Sequence, residues 1–154
     1  MAGLQLCFNF EDVTLTAGAW KTLGSVKAGT DQHVKIDRVR LATSGVAGDA
    51  LPLWFRLQPI TAGTGTGTTI TPSKRNRAFA TTSRSVVRTN FTVEPTAIAN
   101  SVLCEDQFHP QGGESQDFSF EDILTEAAGE VAIQVFTVAA QAAVKSAGHC
   151  FFTE

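Results

Sequence analysis

The alternation of apolar and polar residues along this chain predicts a succession of short β-strands. In the segment 51–58 (LPLWFRLQ), leucine and phenylalanine occupy every second position, so an extended chain has one apolar side. Trp54, Arg56 and Gln58 fall on the other side. The segment 130–139 is instead almost continuously apolar, as expected of a strand that is covered on both faces.

Similar segments recur through the whole chain, separated by turns rich in glycine, proline and threonine. They lie at 4–10, 20–27, 33–43, 85–93, 100–108 and 143–153. The segment 115–126 fits either a helix or a strand, and the rhythm of 33–43 slips at Asp37-Arg38, as at a β-bulge. About eight or nine short strands without a clear amphipathic helix predict an all-β fold. We expect a single domain, 1–154, that is an antiparallel β-sandwich or jelly roll.

The segment Thr61–Thr71 consists of glycine, threonine and alanine with one isoleucine. Such side chains are small, and glycine loses much conformational freedom on ordering. We therefore predict a soft, exposed loop here, and a contact surface that includes Thr64, Thr66 and Thr68.

Charge is distributed unevenly between the two halves of the chain. Residues 1–93 hold eleven Lys/Arg against five Asp/Glu, a balance of +6, whereas residues 94–154 hold one base against ten acids, a balance of −9. Two interpretations remain open. Basic and acidic strands pair across one sheet, or surfaces of opposite sign meet between copies of the protein.

No motif of a hydrolase, a zinc protease or a phosphate-binding loop is present, so we predict that the protein is not an enzyme and has no cofactor. His33, His109 and His149 are isolated in the sequence. A metal-dependent enzyme of the cupin type would require the three histidines to converge in space. Cys7, Cys104 and Cys150 are too sparse for a disulfide framework, and we interpret them as structural.

Nucleic acids and membranes are not expected partners. The basic segment 74–88 contains one aromatic residue, Phe79, for base stacking. No apolar run approaches the roughly 18 residues of a membrane span. The N-terminal segment has no basic region ahead of an apolar one, so we expect a protein that is made and used without secretion.

Five features, in their order and spacing, resemble a family of small β-rich proteins of tailed bacteriophages. They are Trp20-Lys-Thr, Arg56-Leu57 followed by Thr61–Thr64, Glu94-Pro95-Thr96, the turn 109–113 and the apolar strand near the C-terminus. The resemblance implies a jelly-roll decoration, or cement, protein on the capsid exterior, usually a homotrimer. Its implied partner is the major capsid protein, and its implied location is the virion after synthesis in the host cytoplasm. Family members tend to end in two acids, whereas this chain ends Phe-Thr-Glu154.

The contact residues that we predict are Trp54, Arg56, Thr64, Thr66, Thr68, Lys74, Arg75, Arg77, Arg84 and Arg88. The alternative function is a jelly-roll recognition module that binds a host-surface glycan or receptor. An exposed Trp54 beside Arg56 and Gln58 would favour that alternative. The strand at 4–10 either stays within its own subunit or reaches a neighbouring one.

Overall fold

The chain folds into two β-sheets. The computed structural model describes residues 3–44, 52–78, 80–109, 116–138 and 144–154. The strands in this part of the chain are β1 (Gln5–Thr14), β2 (Trp20–Lys27), β3 (Lys35–Ser44), β4 (Leu53–Ile60), β5 (Thr66–Ile70), β6 (Ser73–Lys74), β7 (Val86–Val93), β8 (Cys104–Phe108), β9 (Gln116–Leu124), β10 (Glu130–Phe136) and β11 (Lys145–Thr153). The first sheet has the order β6-β1-β11-β3-β9, and the second sheet has the order β5-β7-β2-β10-β4-β8.

Strand pairing is nested. β1 pairs with β11, β2 with β10, β3 with β9 and β4 with β8, all antiparallel. The chain is therefore a long hairpin folded back on itself, and eight strands nested in this way form a jelly roll. The predicted all-β antiparallel fold is confirmed. The described residues contain eleven strands rather than eight or nine, because the segment between β4 and β7 contributes β5 and the two-residue β6.

The apolar sides of the strands face each other between the sheets. Leu53, Phe55 and Leu57 are fully buried, as their alternation predicts, while Leu51 lies outside the described residues. The ring of Phe55 stacks on that of Phe118 from the opposite sheet, with 4.3 Å between ring centroids. Burying each such side chain contributes about 1.5–3 kcal/mol, so these contacts hold the two sheets together.

Details of several predicted strands are also settled. The segment 115–126, which was open between helix and strand, forms β9. The register between β3 and β9 shifts at Asp37, where the bulge was predicted. The first strand does not end at Phe10 but continues to Thr14, past an irregularity in which Asp12 adopts a φ of 51°. It pairs with β11 of its own chain.

The prediction of a soft loop at Thr61–Thr71 is wrong in part, because Thr66–Ile70 forms β5. Residues 61–65 connect β4 to β5, which lies at the opposite edge of the same sheet. They cross the outer face of the second sheet, and residues 94–96 return across that face. Residues 97–103 then run along β4 to β8, and Ile98 and Leu103 donate hydrogen bonds to the backbone of β4. The two segments bind each other, since the amide of Thr61 donates to the carbonyl of Thr96 (2.9 Å). We call residues 61–65 and 94–103 together the strap.

The strap is anchored on a buried carboxylate, that of Glu130 at the start of β10. Gly63 donates its backbone N–H to Glu130 Oε2 (2.9 Å), and the hydroxyl of Ser25 donates to Oε1 (2.6 Å). Arg88 adds two hydrogen bonds to Oε1, from Nε at 3.0 Å and from Nη2 at 2.6 Å. Glycine and threonine suit residues 61–65 because this backbone must approach the sheet closely.

Beneath the strap, polar residues of the outer face are buried. Gln58 is 2% exposed and donates to the carbonyl of Ile98 in the strap (2.9 Å). The backbone N–H of Thr22 donates to Glu94 at the beginning of the returning segment (2.8 Å). These polar groups have hydrogen-bonding partners, which is the condition for burying them at low cost.

The folded structure brings bases of residues 1–93 next to acids of residues 94–154. Of the four ion pairs among the described residues, three join a base of residues 1–93 to an acid of residues 94–154. These three are Lys21–Glu94, Arg38–Asp117 and Arg88–Glu130. Because β1 to β4 each lie beside a strand of the second half, part of the charge asymmetry in the sequence is neutralised within the molecule.

The C-terminal residue fastens the connection between β6 and β7. The carboxylate of Glu154 accepts hydrogen bonds from the backbone N–H groups of Arg84 (3.0 Å) and Ser85 (3.1 Å). It also accepts hydrogen bonds from the hydroxyls of Ser83 and Ser85. The segment 83–85 is therefore held against the end of β11.

We expect Glu130→Ala to lower the free energy of unfolding by about 3–5 kcal/mol, because it leaves the Arg88 guanidinium buried without its counter-charge. Urea unfolding measures this change. Glu126→Ala, at an exposed position nearby, is the control and should change stability by less than about 0.5 kcal/mol. Equal effects of the two substitutions would contradict the role given to Glu130.

Candidate functional site

The ten predicted contact residues fall into four places. Trp54 and Arg56 lie on the outer face of the second sheet, beside the strap. Thr64 belongs to the strap, and Arg88 binds the Glu130 carboxylate that anchors the strap. Five lie along the edge of the sandwich where β5 and β6 are the outermost strands; they are Thr66, Thr68, Lys74, Arg75 and Arg77. Arg84 lies instead beside the end of β11, where its backbone N–H binds Glu154.

Thr64 and Arg88 serve the fold. The hydroxyl of Thr64 donates to the carbonyl of Thr61 (2.6 Å) and accepts from the backbone N–H of Thr96 (2.9 Å). The side chain of Arg88 is 11% exposed and paired with Glu130. Sequence alone did not reveal these roles, because the partners lie 32 and 42 residues away.

The edge formed by β5 and β6 is basic. Arg75 and Arg77 are exposed there, and neither takes part in the ion pairs of the described residues. No acid occurs between Asp49 and Glu94 to balance them locally. We call this the basic edge.

The opposite edge, formed by β8 and β9, is acidic. Glu105 and Asp106 are exposed on β8, and no Lys or Arg occurs in residues 94–138. The negative charge of this edge acts on Cys104. Burial raises the pKa of its thiol, and the carboxylates of Asp106 and Glu105 raise it further. We call this the acidic edge. Three bases of residues 1–93 are thus paired with acids, whereas Arg75 and Arg77 at one edge and Glu105 and Asp106 at the other take part in none of the ion pairs of the described residues.

An aromatic row crosses the uncovered part of the outer face of the second sheet. Phe136 of β10 lies directly between Trp54 of β4 and Trp20 of β2 in the sheet register. All three side chains are half-buried, and the rings of Trp20 and Phe136 have centroids 5.4 Å apart. The two tryptophans are far apart in sequence, and their common neighbour Phe136 was not recognised as a candidate. We call these three residues the aromatic row.

Arg56 is held against this row. Its guanidinium carbon lies 3.9 Å from the centre of the Trp20 ring, a cation–π contact. Its Nε donates to Gln134 Oε1 (2.8 Å), and Gln134 Nε2 donates in turn to the Thr22 hydroxyl (2.9 Å). Burial lowers the pKa of Arg56, and the charge of Glu105 partly opposes this shift.

Further polar groups border the row on β8, where Glu105 lies opposite Arg56 and Gln107 opposite Trp54. An exposed Trp54 beside Arg56 and Gln58 would favour a ligand site, and the structure meets this condition only in part. Trp54 is half-buried rather than exposed and lies near Arg56, but Gln58 points beneath the strap.

The outer face of the first sheet carries a second aromatic group, which the sequence did not single out. Phe151 of β11 is half-buried, with the guanidinium carbons of Arg75 and Arg38 at 5.1 and 5.7 Å from its ring centre. His149 packs edge-on against the same ring at 4.8 Å. Burial and then the charges of Arg40 and Arg38 lower the pKa of His149, with Asp117 opposing them.

The histidines do not converge. His33 lies before β3, where its Nδ1 is 2.7 Å from the carbonyl oxygen of Thr125. His149 lies opposite Arg40 in the middle of the first sheet, and His109 follows β8. Within the described ranges, no group of three or more His, Cys, Asp or Glu side chains is arranged to hold a metal ion. No helix of the described chain is long and apolar enough to cross a membrane.

Cys7, Cys104 and Cys150 are all free. Cys150 is fully buried between the sheets, and this burial raises the pKa of its thiol. Cys7 and Cys104 are half-buried. The structural interpretation of Cys150 follows directly from its burial, because a neutral thiol in an apolar core is inert.

An open groove of about 350 Å³ lies between the strap and the turn after β9. Ile98, Leu103 and Leu124 line it and are 42–59% exposed. Nothing in the sequence pattern predicted this groove, since the residues come from different segments.

The fold and these surfaces define a jelly-roll β-sandwich with two oppositely charged edges and an aromatic row on one outer face. Comparison with protein-family models, with curated proteins and with solved structures finds no match for this chain. The likeness to phage decoration proteins therefore depends on the sequence features alone.

We expect the free energy of unfolding to fall as the pH drops below about 6.5, the usual pKa of histidine. The folded-state pKa of His149 is lowered, so the unfolded chain binds this proton more readily. His149→Gln stays neutral and should flatten the pH dependence between about pH 6.5 and pH 5. Urea unfolding across this range measures it, and an unchanged slope in the variant would refute the expectation.

Proposed function

We propose that this protein is a structural component of a phage virion: a capsid decoration, or cement, protein that binds the major capsid protein from outside. It acts as a homotrimer and stabilises the head. The jelly roll supplies a body whose long connections are tied down, by Glu130 under the strap and by Glu154 at segment 83–85. Such a body suits a protein that reinforces a shell under strain.

The observation that supports this proposal most is the opposite charge of the two edges. They lie at opposite ends of the strand order in both sheets, so the basic edge of one copy can meet the acidic edge of the next. A contact between two different surfaces repeats around an axis and forms a ring if the rotation closes. Edge charges also discourage unspecific strand pairing, which leaves a specific, charge-matched contact as the favoured one.

Co-sedimentation with capsids stripped of their decoration tests the proposal, with compact and expanded heads compared side by side. We expect saturable binding to expanded heads at a stoichiometry divisible by three. The control is a protein of similar size and charge that has no relation to capsids. Absence of binding to both forms of the head would refute the proposed function.

We expect charge reversal at Arg75, Arg77 and Arg84 to weaken trimer formation at low salt, because the basic edge would then repel the acidic edge of the neighbouring copy. Sedimentation velocity measures the oligomeric state. Lys145→Glu, on a strand inside the first sheet, adds as much negative charge as one arginine reversal and is the control for the single variant Arg77→Glu.

Charge reversal of Glu105 and Asp106 in the same molecule should restore assembly. The two edges then carry charges of opposite sign again, with the positive and negative edges exchanged. Assembly that is unchanged by the three arginine reversals at low salt would show that the edges do not meet.

A further inference from the structure

We propose that the aromatic row is a carbohydrate site that binds a short, neutral oligosaccharide of pyranose rings. Trp20, Phe136 and Trp54 come from three adjacent strands, which are spaced about 4.8 Å apart. Their backbones therefore span about 10 Å across the sheet. This length fits a short oligosaccharide better than a single sugar. The Arg56 guanidinium lies over the Trp20 ring, so a sugar would meet the guanidinium at that end and the rings of Phe136 and Trp54 beyond it.

The chemistry of the row suits a pyranose ring. One face of such a ring presents aliphatic C–H groups that carry a slight positive charge, and an aromatic face carries the complementary negative charge. The hydroxyls around the ring edge require planar polar groups at the border of the aromatic surface. Arg56, Gln107 and Glu105 lie at that border.

Arg56 is already oriented for this task. The cation–π contact with Trp20 and the hydrogen bond from its Nε to Gln134 fix the plane of the guanidinium. Gln134 is itself 3% exposed and fixed by Thr22. Within the described part of the chain, the Nη atoms of Arg56 have no hydrogen-bonding partner, so they are available to acceptor oxygens of a ligand.

The electrostatics favour a neutral sugar over an acidic one. Glu105 lies directly opposite Arg56 on β8, and its carboxylate balances the guanidinium. An anionic sugar would gain the attraction of Arg56 but would also meet the carboxylate of Glu105.

The site has a rigid border on the side of the strap. The strap covers the neighbouring part of the same face, where Gln58 and Thr22 are buried. The row lies beyond the strap, and its three rings remain half-buried rather than covered. A rigid border of this kind lowers the entropic cost of binding.

Intrinsic fluorescence reports on this site directly. The chain has two tryptophans and no tyrosine, and both tryptophans belong to the row. We would titrate the intact protein with a panel of neutral oligosaccharides of glucose, galactose, mannose and N-acetylglucosamine. Concentrations up to about 10 mM detect a binding free energy as weak as about −4 kcal/mol. We expect a saturable change in tryptophan emission, with a shift to shorter wavelength, for at least one member.

Two variants locate the binding. Trp54→Ala should weaken the affinity at least about tenfold, a change typical of losing a central aromatic contact. Phe151→Ala is the matched control, because it removes a half-buried aromatic ring beside arginines on the other outer face. It should leave the affinity unchanged. Thermal unfolding of both variants checks that they fold, and Trp54→Phe, which keeps a ring, should retain most of the affinity.

Three results would overturn the proposal. The first is the absence of any change in emission across the panel. The second is an equal loss of affinity in Trp54→Ala and Phe151→Ala. The third is a decrease in acrylamide quenching of the tryptophan fluorescence as the protein concentration rises in the absence of sugar. Such a decrease would mean that a second copy of the protein covers the row. The proposal is independent of capsid binding, which is measured separately.

Discussion

Antiparallel pairing between the two halves of the chain is the constraint on which the rest of this structure depends. β1 to β4 each run beside a strand from the second half of the chain, whereas β5, β6 and β7 pair within the first half. This arrangement places Lys21, Arg38 and Arg88 next to acids from the other half. The same nesting leaves the basic segment after β5 at one edge and the acidic β8 at the other, which sets up the charged edges.

The buried carboxylate of Glu130 is the second organising element, and it follows from the first. Nesting puts β4 and β8 at one side of the second sheet and β5 and β7 at the other, so the connections between them must cross its outer face. A crossing backbone carries polar groups that need partners. Glu130 supplies an acceptor to Gly63 and is itself neutralised by Arg88, so the crossing segments and the sheet stabilise each other.

The strap divides the outer face of the second sheet into two parts with different properties. Under the strap, Gln58 and Thr22 belong to the interior, although the strand alternation points them outward. Beyond it, the aromatic row remains half-buried, with Arg56 fixed against Trp20. A rigid scaffold therefore presents distinct surfaces: charged edges suited to contacts between copies, and an aromatic strip suited to a ligand.

The sequence by itself determined which segments are strands and which side of each strand faces the core. The alternation at 51–58 correctly predicted that Leu53, Phe55 and Leu57 are buried, and the slip at Asp37 predicted a bulge. The glycine- and threonine-rich β5 escaped detection, because pairing with β7 rather than composition makes it a strand. Only the tertiary structure placed Trp20 and Trp54 in one row and buried Glu130. The physical reason is that a period of two residues records the two sides of one strand, whereas strand order and the cover on an outer face depend on contacts between residues distant in sequence.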